Sequence, residues 1–256
     1  MKISIITIVY NRVHCISDCI ESVLNQTYNN IEYLVIDGGS TDGTQQKIAR
    51  YKERIDYYSS EKDEGIFDAL NKGIKNATGD VIGILNSDDF FFHKDTLKNI
   101  ANSFESSNAD LVYAKGLFVD KENPNRIKRI YPSRAFRKRF LYFGWIPLHT
   151  TIFVRREIFE KYGMYNPGYT IASDYEISLR WFKNDQIKKM FLNEWVVKMR
   201  LGGLSTSAKL QIKKSREDLR IIKLYNLNGI FTLACKIGRK IPQYIIPQVL
   251  GSNRIV

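Results

Sequence analysis

Cysteine and histidine are scarce in this chain of 256 residues, which contains three of each. The cysteines, Cys15, Cys19 and Cys235, are odd in number and lack metal-site spacing, so we expect free thiols in a reducing cytoplasm. No stretch reaches the roughly 18 uninterrupted apolar residues of a membrane-spanning helix. The N-terminus also lacks a signal-peptide pattern. These absences favour a cytoplasmic protein that is either soluble or peripheral on the inner face of the membrane.

Negative charge is scarce in the second half of the chain. Of the 39 Lys and Arg residues and 27 Asp and Glu residues, residues 1–120 contain 12 basic and 18 acidic ones, whereas residues 121–256 contain 27 and 9. An acidic half joined to a strongly basic half suits a phosphorylated substrate and an anionic surface. Nucleic acid is the competing partner for the basic half.

The first half alternates between two hydrophobic periodicities. β-Branched apolar runs at residues 3–9, 31–36 and 81–85 predict buried strands, and apolar residues at helical spacing predict helices near residues 16–26 and 66–77. Strands alternating with helices at this spacing indicate right-handed crossovers. The fold class predicted is therefore α/β, with a mostly parallel sheet flanked by helices.

The second half is less regular, without an internal repeat or a low-complexity linker. Apolar runs predict strands, and a helix is expected to open at Asp174. A long basic helix is predicted to follow, and further amphipathic helical segments end the chain. The predicted ranges are 110–116, 126–131, 149–154 and 195–201 for the strands and 208–225 for the basic helix.

Two adjacent carboxylates, Asp88 and Asp89, end the buried run at residues 81–85. Adjacent acids repel each other, and folding gains nothing from placing them at the mouth of a buried strand. A divalent cation would remove the conflict, because hard cations take oxygen ligands from carboxylates and substrate phosphates. In the alternative, Asp88 caps the next helix and Asp89 is solvated.

Polar residues also follow the other two predicted strands. Tyr10 and Asn11 follow the first, and Asp37 with the glycine-rich residues 38–43 follows the second. In such sheets ligands bind beyond the carboxyl ends of the strands. We therefore expect Asp37 and the Asp88–Asp89 pair to line one crevice, which favours the cation over the helix cap.

Five motifs occur together in an order and spacing that resemble a known family. The chain resembles the inverting glycosyltransferases of family 2, which have the GT-A (Rossmann-like) fold, particularly those of bacterial capsule, O-antigen and exopolysaccharide assembly. The resemblance covers about residues 1–205, and the motifs are specific jointly rather than singly. They are Tyr10-Asn11 and residues 22–28, 36–44, 69–73 and 85–89.

The resemblance implies a UDP-sugar donor and a divalent cation, Mn²⁺ or Mg²⁺. By position, Asp89 would meet the metal with Asp88 behind it, and Arg200 would lie in a late loop, residues 200–205, that closes over the diphosphate. The remaining implied donor-site residues are Tyr10 and Asp37 for the nucleoside and Asp68 and Asn71 for the donor pocket.

The resemblance also implies one carboxylate base, because an acceptor hydroxyl is a poor nucleophile. Residues 172–176 match the family's acidic motif and nominate Asp174, with Glu176 as the rival. Asp at a helix start is otherwise a common cap, worth about 1 kcal/mol. His149 is as readily a hydrogen-bonded structural residue as an acceptor contact.

We expect the chain to consist of a catalytic domain over residues 1–205 and a basic helical tail over residues 206–256. Within the domain, residues 1–120 would bind the nucleotide-sugar and the metal, and residues 121–205 the acceptor. The tail would contact an anionic membrane, or else pack on the domain or on a second subunit.

The predicted function is transfer of a hexose or N-acetylhexosamine from a UDP-sugar to a lipid-linked or glycan acceptor in bacterial surface polysaccharide biosynthesis. A polyprenyl-phosphate glycosyltransferase is the nearest alternative. A non-catalytic nucleotide- or nucleic-acid-binding module is the other. Nucleic acid is not expected as a partner, since Asp37, Asp88 and Asp89 would repel its phosphates.

Overall fold

A nine-stranded sheet forms the centre of the computed structural model, which describes residues 1–202 and 208–251. Its strands are β1 (Ile3–Val9), β2 (Ile31–Asp37), β3 (Tyr57–Ser60), β4 (Val81–Ile84), β5 (Asp89–Phe91), β6 (Leu111–Val119), β7 (Ile127–Tyr131), β8 (Ile152–Arg155) and β9 (Lys189–Arg200).

The helices flank the sheet and end the described chain. They are α1 (Ile16–Leu24), α2 (Thr44–Ala49), α3 (Ile66–Asn76), α4 (Thr96–Ser107), α5 (Arg139–Tyr142), α6 (Arg156–Tyr162), α7 (Ser173–Lys183), α8 (Ala208–Leu224), α9 (Gly229–Gly238) and α10 (Lys240–Leu250). Short 3₁₀ helices cover Lys52–Arg54 and His149–Thr151.

The strand order is β3-β2-β1-β4-β8-β6-β9-β5, with β7 beside β6. The first four strands pair in parallel, as the crossover spacing predicts. In the second half β6 and β9 are parallel, and β5, β7 and β8 pair antiparallel with their neighbours. This mixed sheet flanked by helices confirms the predicted α/β fold of GT-A type.

Both faces of the sheet are covered by apolar residues, which is why the central strands read as continuous hydrophobic runs. All seven residues of β1 are buried. Ile5 packs in the layer that includes α1 and α4, and Ile6 in the layer that includes α3 and α7. A Cβ on Gly73 of α3 would lie 2.4 Å from the Ile6 methyl, so only glycine allows this close contact.

Several local predictions differ from the structure because tertiary contacts decide them. Residues 149–151 form a 3₁₀ helix, so β8 begins at Ile152 rather than at His149. The three-residue β5 and the helix α6 were not predicted from the sequence. The tail helix is interrupted after Gly238, and Pro242 lies in the first turn of α10, where its missing N–H needs no partner.

Polar and small residues contribute to the packing of α9 and α10 against the rest of the protein, whereas α8 also buries Ile221 and Ile222 in the core. Gly144 has a φ of +64°, and a Cβ there would lie 2.6 Å from Lys236 Cβ of α9. The buried Thr232 hydroxyl donates to the Tyr142 carbonyl at 2.8 Å. Gln243 of α10 accepts a hydrogen bond from Arg129 Nε of β7 at 2.8 Å. Among the described residues, no helix is long and apolar enough to cross a membrane.

Candidate active site

The Asp88–Asp89 pair lies in the turn between β4 and β5. The Asp89 amide donates to the Asn86 carbonyl at 2.9 Å, and Asp89 then opens β5 opposite Met199 of β9. This pairing turns Asp89 inward, so its side chain is fully buried while Asp88 stays partly exposed. Asp88 is therefore the more accessible of the two acids, and contact of Asp89 with the metal, with Asp88 behind it, stays a prediction.

Asp89 is electrostatically unsatisfied in its buried position. Its Oδ2 accepts a hydrogen bond from Asn86 Nδ2 at 2.9 Å, whereas Oδ1 has no partner among the described residues. Burial first, and then the charge of Asp88, raise the pKa of Asp89 well above its usual range, and the opposing effect of Arg200 is smaller. A buried oxygen without a partner beside a second carboxylate is the conflict that a bound cation relieves.

The surroundings fit a cation that is held jointly by protein and substrate. No group of three or more His, Cys, Asp or Glu side chains in residues 1–202 and 208–251 is arranged to hold a metal alone. The chain offers two carboxylates, and Mg²⁺-type ions are commonly bound by one or two carboxylates plus substrate phosphates and water. Asp88 and Asp89 thus fit such an ion only together with a phosphorylated ligand.

Arg200 ends β9 beside the carboxylate pair. Its Nη1 donates to the Asp88 carbonyl at 3.1 Å, and its Nη2 forms an ion pair with Asp18 of α1. Asp18 was missed by the sequence analysis, since nothing local distinguishes it from a solvated helix residue. Of the predicted late loop, residues 203–205 lie outside the described residues. Arg200 therefore contributes a positive charge next to Asp88.

Asp37 organises the glycine-rich loop rather than facing solvent. The side chain is fully buried, and it accepts hydrogen bonds from the hydroxyls of Ser40 and Ser60, both at 2.5 Å. Tyr10 is 61% exposed and lies against Gly38, where a Cβ would be 3.4 Å from the Tyr10 ring. Of these two predicted nucleoside contacts, only Tyr10 presents an open surface in this structure.

Asp68 and Asn71 of α3 are engaged with the protein. Asp68 accepts from the Glu64 amide, which is the main reason why its pKa is lowered, and it lies 3.3 Å from Lys72 Nζ. Asn71 exchanges two hydrogen bonds with the backbone of Tyr165, at 2.9 and 3.0 Å. Asn71 therefore fixes the segment that leads to α7, a role that local sequence does not reveal.

Asp174 lies in the first turn of α7, with its side chain 24% exposed. Its Oδ2 is 3.5 Å from Nδ1 of His149, which precedes β8. Because β8 runs antiparallel to β4, His149 lies at the edge where β4 ends. The adjacent Thr150 hydroxyl donates to Met199 Sδ at 3.5 Å, and Met199 is the strand partner of Asp89. The predicted base and the acid pair thus share one edge of the sheet.

The charges around Asp174 keep it ionised. Burial alone would raise its pKa, but the charge of Lys214, and then those of His149 when protonated and of Lys236, lower it overall. Burial lowers the pKa of His149 more than the charge of Asp174 raises it, so the imidazole is neutral at neutral pH. The pair is therefore a carboxylate beside a neutral imidazole, and an ionised carboxylate is the form that can accept a proton from a hydroxyl.

Glu176, the rival base, is committed to a buried network. Its side chain is only 6% exposed and forms a two-point ion pair with Arg180, one turn along the helix. The Tyr225 hydroxyl donates to the same carboxylate at 2.6 Å. With both oxygens engaged, Glu176 has no free position for an acceptor, and the geometry favours Asp174.

Helix α8, in the predicted tail, supports the loop that carries Asp174. Glu217 accepts three backbone N–H bonds from consecutive residues, at 3.1 Å from Thr170 and at 2.9 Å from both Ile171 and Ala172. Lys214 of the same helix has a raised pKa, chiefly because of the charge of Asp174. The sequence analysis missed both residues because these contacts join segments about forty residues apart. The predicted division at residue 205 stays a prediction, but contacts to the site cross it.

Comparison with known sequences identifies a family. The model of the family "Glycosyl transferase family 2" matches residues 4–163. A glycosyltransferase of PGL/p-HBAD biosynthesis from Mycobacterium bovis is 30% identical over 210 residues, which are 80% of this chain and 79% of that protein. An uncharacterised glycosyltransferase of Rickettsia typhi is 28% identical over 212 residues, and the match spans 65% of its length.

Solved structures share the fold at low sequence identity. Residues 1–349 of S. aureus TarS in complex with UDP-GlcNAc align with a TM-score of 0.69 and 20% identity, covering 92% of this chain and 69% of that chain. The match to the longer TarS structure spans 41% of that chain. A mannosyltransferase from Pyrobaculum calidifontis, solved with GDP-Man and Mn²⁺, aligns at 0.61 and 16% identity, covering 93% and 73%. With its family match and its fold in agreement, the chain belongs to glycosyl transferase family 2.

Proposed function

We propose that this chain is an inverting transferase that moves a hexose or N-acetylhexosamine from a UDP-sugar to a hydroxyl of a lipid-linked or glycan acceptor in bacterial surface polysaccharide biosynthesis. The observation that carries the proposal is the position of Asp174, 3.5 Å from His149, at the same sheet edge as Asp88 and Asp89. A base and a phosphate-binding acid pair at one edge are what a single displacement needs.

On the acceptor side of the reaction, Asp174 is the proton acceptor. As the acceptor oxygen bonds to the anomeric carbon, its proton passes to the Asp174 carboxylate, and the bond from the anomeric carbon to the diphosphate oxygen breaks. The charge of Lys214 keeps the carboxylate ionised, and His149 lies 3.5 Å from it. A phosphate acceptor is already anionic and needs no such base, so this geometry favours a hydroxyl acceptor over polyprenyl phosphate.

On the donor side of the reaction, the diphosphate would lie at the Asp88–Asp89 pair. Asp88 and Asp89 would hold Mn²⁺ or Mg²⁺ with the substrate, and the ion would stabilise the negative charge of the leaving diphosphate. Arg200, next to Asp88, adds a positive charge from the protein. The exposed Tyr10 ring offers a stacking surface to the base. The UDP-GlcNAc bound by TarS supports UDP as the nucleotide.

A donor screen tests this proposal. We expect UDP and UDP-sugars to stabilise the protein in Mn²⁺ by about 2.7 kcal/mol at a hundred times their Kd, since a ligand that binds only the folded state adds RT ln(1 + [L]/Kd). Thermal melting with matched UDP-, GDP- and dTDP-sugars measures this, with the corresponding nucleoside monophosphates as controls. Equal stabilisation by GDP-mannose would contradict the UDP assignment, and no stabilisation by any nucleotide would contradict the function.

The outer face of α9 and α10 supports a peripheral position on the inner face of the cytoplasmic membrane. The buried residues of these helices include Thr232 and Gln243, whereas large apolar side chains face outward. A helix that only covers a core would instead bury its large apolar side chains and expose its polar ones. Residues 121–256 contain 27 basic and 9 acidic residues, and anionic lipid would attract this excess of positive charge. The outward apolar residues are Ile230, Phe231, Ile237, Ile241, Ile245, Val249 and Leu250.

Polar substitution of this face should weaken membrane binding. Ile230 and Ile241 are 74% and 61% exposed, so Ile230→Ser with Ile241→Ser should leave folding unchanged. We expect co-sedimentation with anionic liposomes to fall by about tenfold or more, because each buried side chain contributes about 1.5–3 kcal/mol. Leu224→Ser on α8, where Leu224 is 64% exposed, is the control. Unchanged co-sedimentation of the double variant would show that this face does not bind the membrane.

A further inference from the structure

A cavity separate from the acid pair and the base lies where the tail meets the domain. It has a volume of about 380 Å³, and its walls come from the region of α5 and from the junction of α9 with α10. Its lining residues are Arg134, Arg139, Phe140, Phe143, Trp145 and Arg239. Three of the six are arginines and three are aromatic, so positive charge and flat apolar walls share one cavity.

The cavity carries unneutralised positive charge. It is lined by no carboxylate, and none of its three guanidinium groups forms an ion pair or hydrogen bond with another described residue. The Arg134 and Arg139 guanidinium groups lie 5.3 and 5.8 Å from the Phe140 ring centre, which limits their movement. Burial lowers the pKa of Arg239, and the charge of Arg134 adds to this.

None of the six lining side chains can accept a hydrogen bond. Trp145 is 3% exposed, and its indole Nε1 is buried without a hydrogen-bond partner among the described residues. Every polar side-chain group of the lining is therefore a donor. Guanidinium groups match phosphate oxygens in geometry and charge, so the ligand that this lining selects is a phosphate-bearing anion.

The cavity lies between the outward apolar face of α9 and the site of the base. On one side, Phe143 packs edge-on against Phe231 of that face, with ring centres 5.8 Å apart. On the other side, a Cβ on Gly144, between Phe143 and Trp145, would lie 2.6 Å from Lys236 Cβ, and Lys236 Nζ lies 3.2 Å from the ring centre of Tyr175, which follows Asp174. A molecule with an apolar chain, a phosphate and a sugar hydroxyl would meet these three regions in that order.

We propose that this arginine cavity binds the phosphate or diphosphate of a lipid-linked acceptor and so positions its terminal sugar toward Asp174. The inference rests on the proposed function and narrows its acceptor class. It also gives the tail a second role, since Arg239 comes from the α9–α10 junction. Binding involves no covalent step at the phosphate.

Inorganic pyrophosphate is the probe for this site. Arg134→Gln with Arg139→Gln removes two exposed guanidinium groups, and Arg137→Gln, an exposed arginine outside the cavity lining, is the matched control. In metal-free buffer, we expect the pyrophosphate Kd measured by calorimetry to rise at least about tenfold in the double variant, since charge-assisted phosphate contacts are the strong ones. The control should stay within about twofold. Equal affinity in all three proteins would overturn the proposal.

Two further measurements separate the possible sources of the phosphate. Vesicles of phosphatidylglycerol should bind the double variant and the Arg137→Gln control alike, because the cavity is assigned to the acceptor and not to bulk headgroups. Loss of vesicle binding with unchanged pyrophosphate affinity would overturn the assignment. UDP binding in Mn²⁺ should be the same in the unmodified protein, the double variant and the Arg137→Gln control. If none binds UDP while the pyrophosphate difference holds, the proposed function fails and the phosphate cavity remains.

Discussion

Asp174→Asn is expected to lower the turnover rate by about a hundredfold or more, the usual scale for loss of a general base. The amide keeps the size of the side chain and its contact with the Tyr175 amide, but it cannot take the acceptor proton. Binding of UDP should be unchanged, because Asp174 lies on α7 and not among the predicted donor contacts. Steady-state kinetics beside UDP calorimetry measures the two effects separately.

Glu176→Gln is the matched control, two residues away on the same helix. It breaks a buried ion pair with Arg180, so we expect a loss of about 3 kcal/mol in the free energy of unfolding. The protein that remains folded should turn over at nearly the normal rate. If Glu176→Gln abolishes turnover in folded protein while Asp174→Asn works normally, the base is Glu176.

Asp89→Asn is expected to lower turnover by about a hundredfold or more, since the charge that helps to hold the cation is lost. The same change should stabilise the metal-free protein at neutral pH. The folded-state pKa of Asp89 is raised by burial and by Asp88, so the folded protein favours the protonated form. The contribution of protonated Asp89 to the free energy of unfolding is present at low pH and is lost as the pH rises through the folded-state pKa.

Thermal melting in EDTA at about pH 5 and about pH 7.5 checks the direction of this pH dependence of stability. The variant should melt higher than the natural protein at the higher pH, and the difference should shrink at the lower pH. Turnover is followed across a Mn²⁺ and Mg²⁺ titration. Full activity of the variant at low metal would exclude Asp89 from the cation site, and a lower melting temperature at neutral pH would show that its buried carboxylate is satisfied.

The sequence alone determined the parallel half of the sheet and the location of its acids. Strands β1, β2 and β4 are local runs of apolar residues that must be buried on both faces, so their pattern needs no knowledge of distant contacts. The polar residues that end them fall at one edge because parallel strands share their direction. The local pattern therefore determines the edge of the sheet at which Asp37, Asp88 and Asp89 lie.

Only the tertiary structure decided which acids are accessible. The inward turn of Asp89 depends on β5 pairing with β9, more than a hundred residues away. The choice between Asp174 and Glu176 depends on Arg180 and Tyr225, which engage Glu176, and on His149, which faces Asp174. Charge type and helix position are alike for both acids, so no local pattern separates them.

The role of the tail was also decided by long-range contacts. Its sequence is basic and amphipathic, and such a helix suits a membrane surface or a protein surface equally. Glu217 beneath the loop before Asp174 and Arg239 in the arginine cavity show that its inner face belongs to the domain, as do Ile221 and Ile222 in the core. Helical periodicity places residues on a common face, but only the packing of α8, α9 and α10 shows which face turns inward.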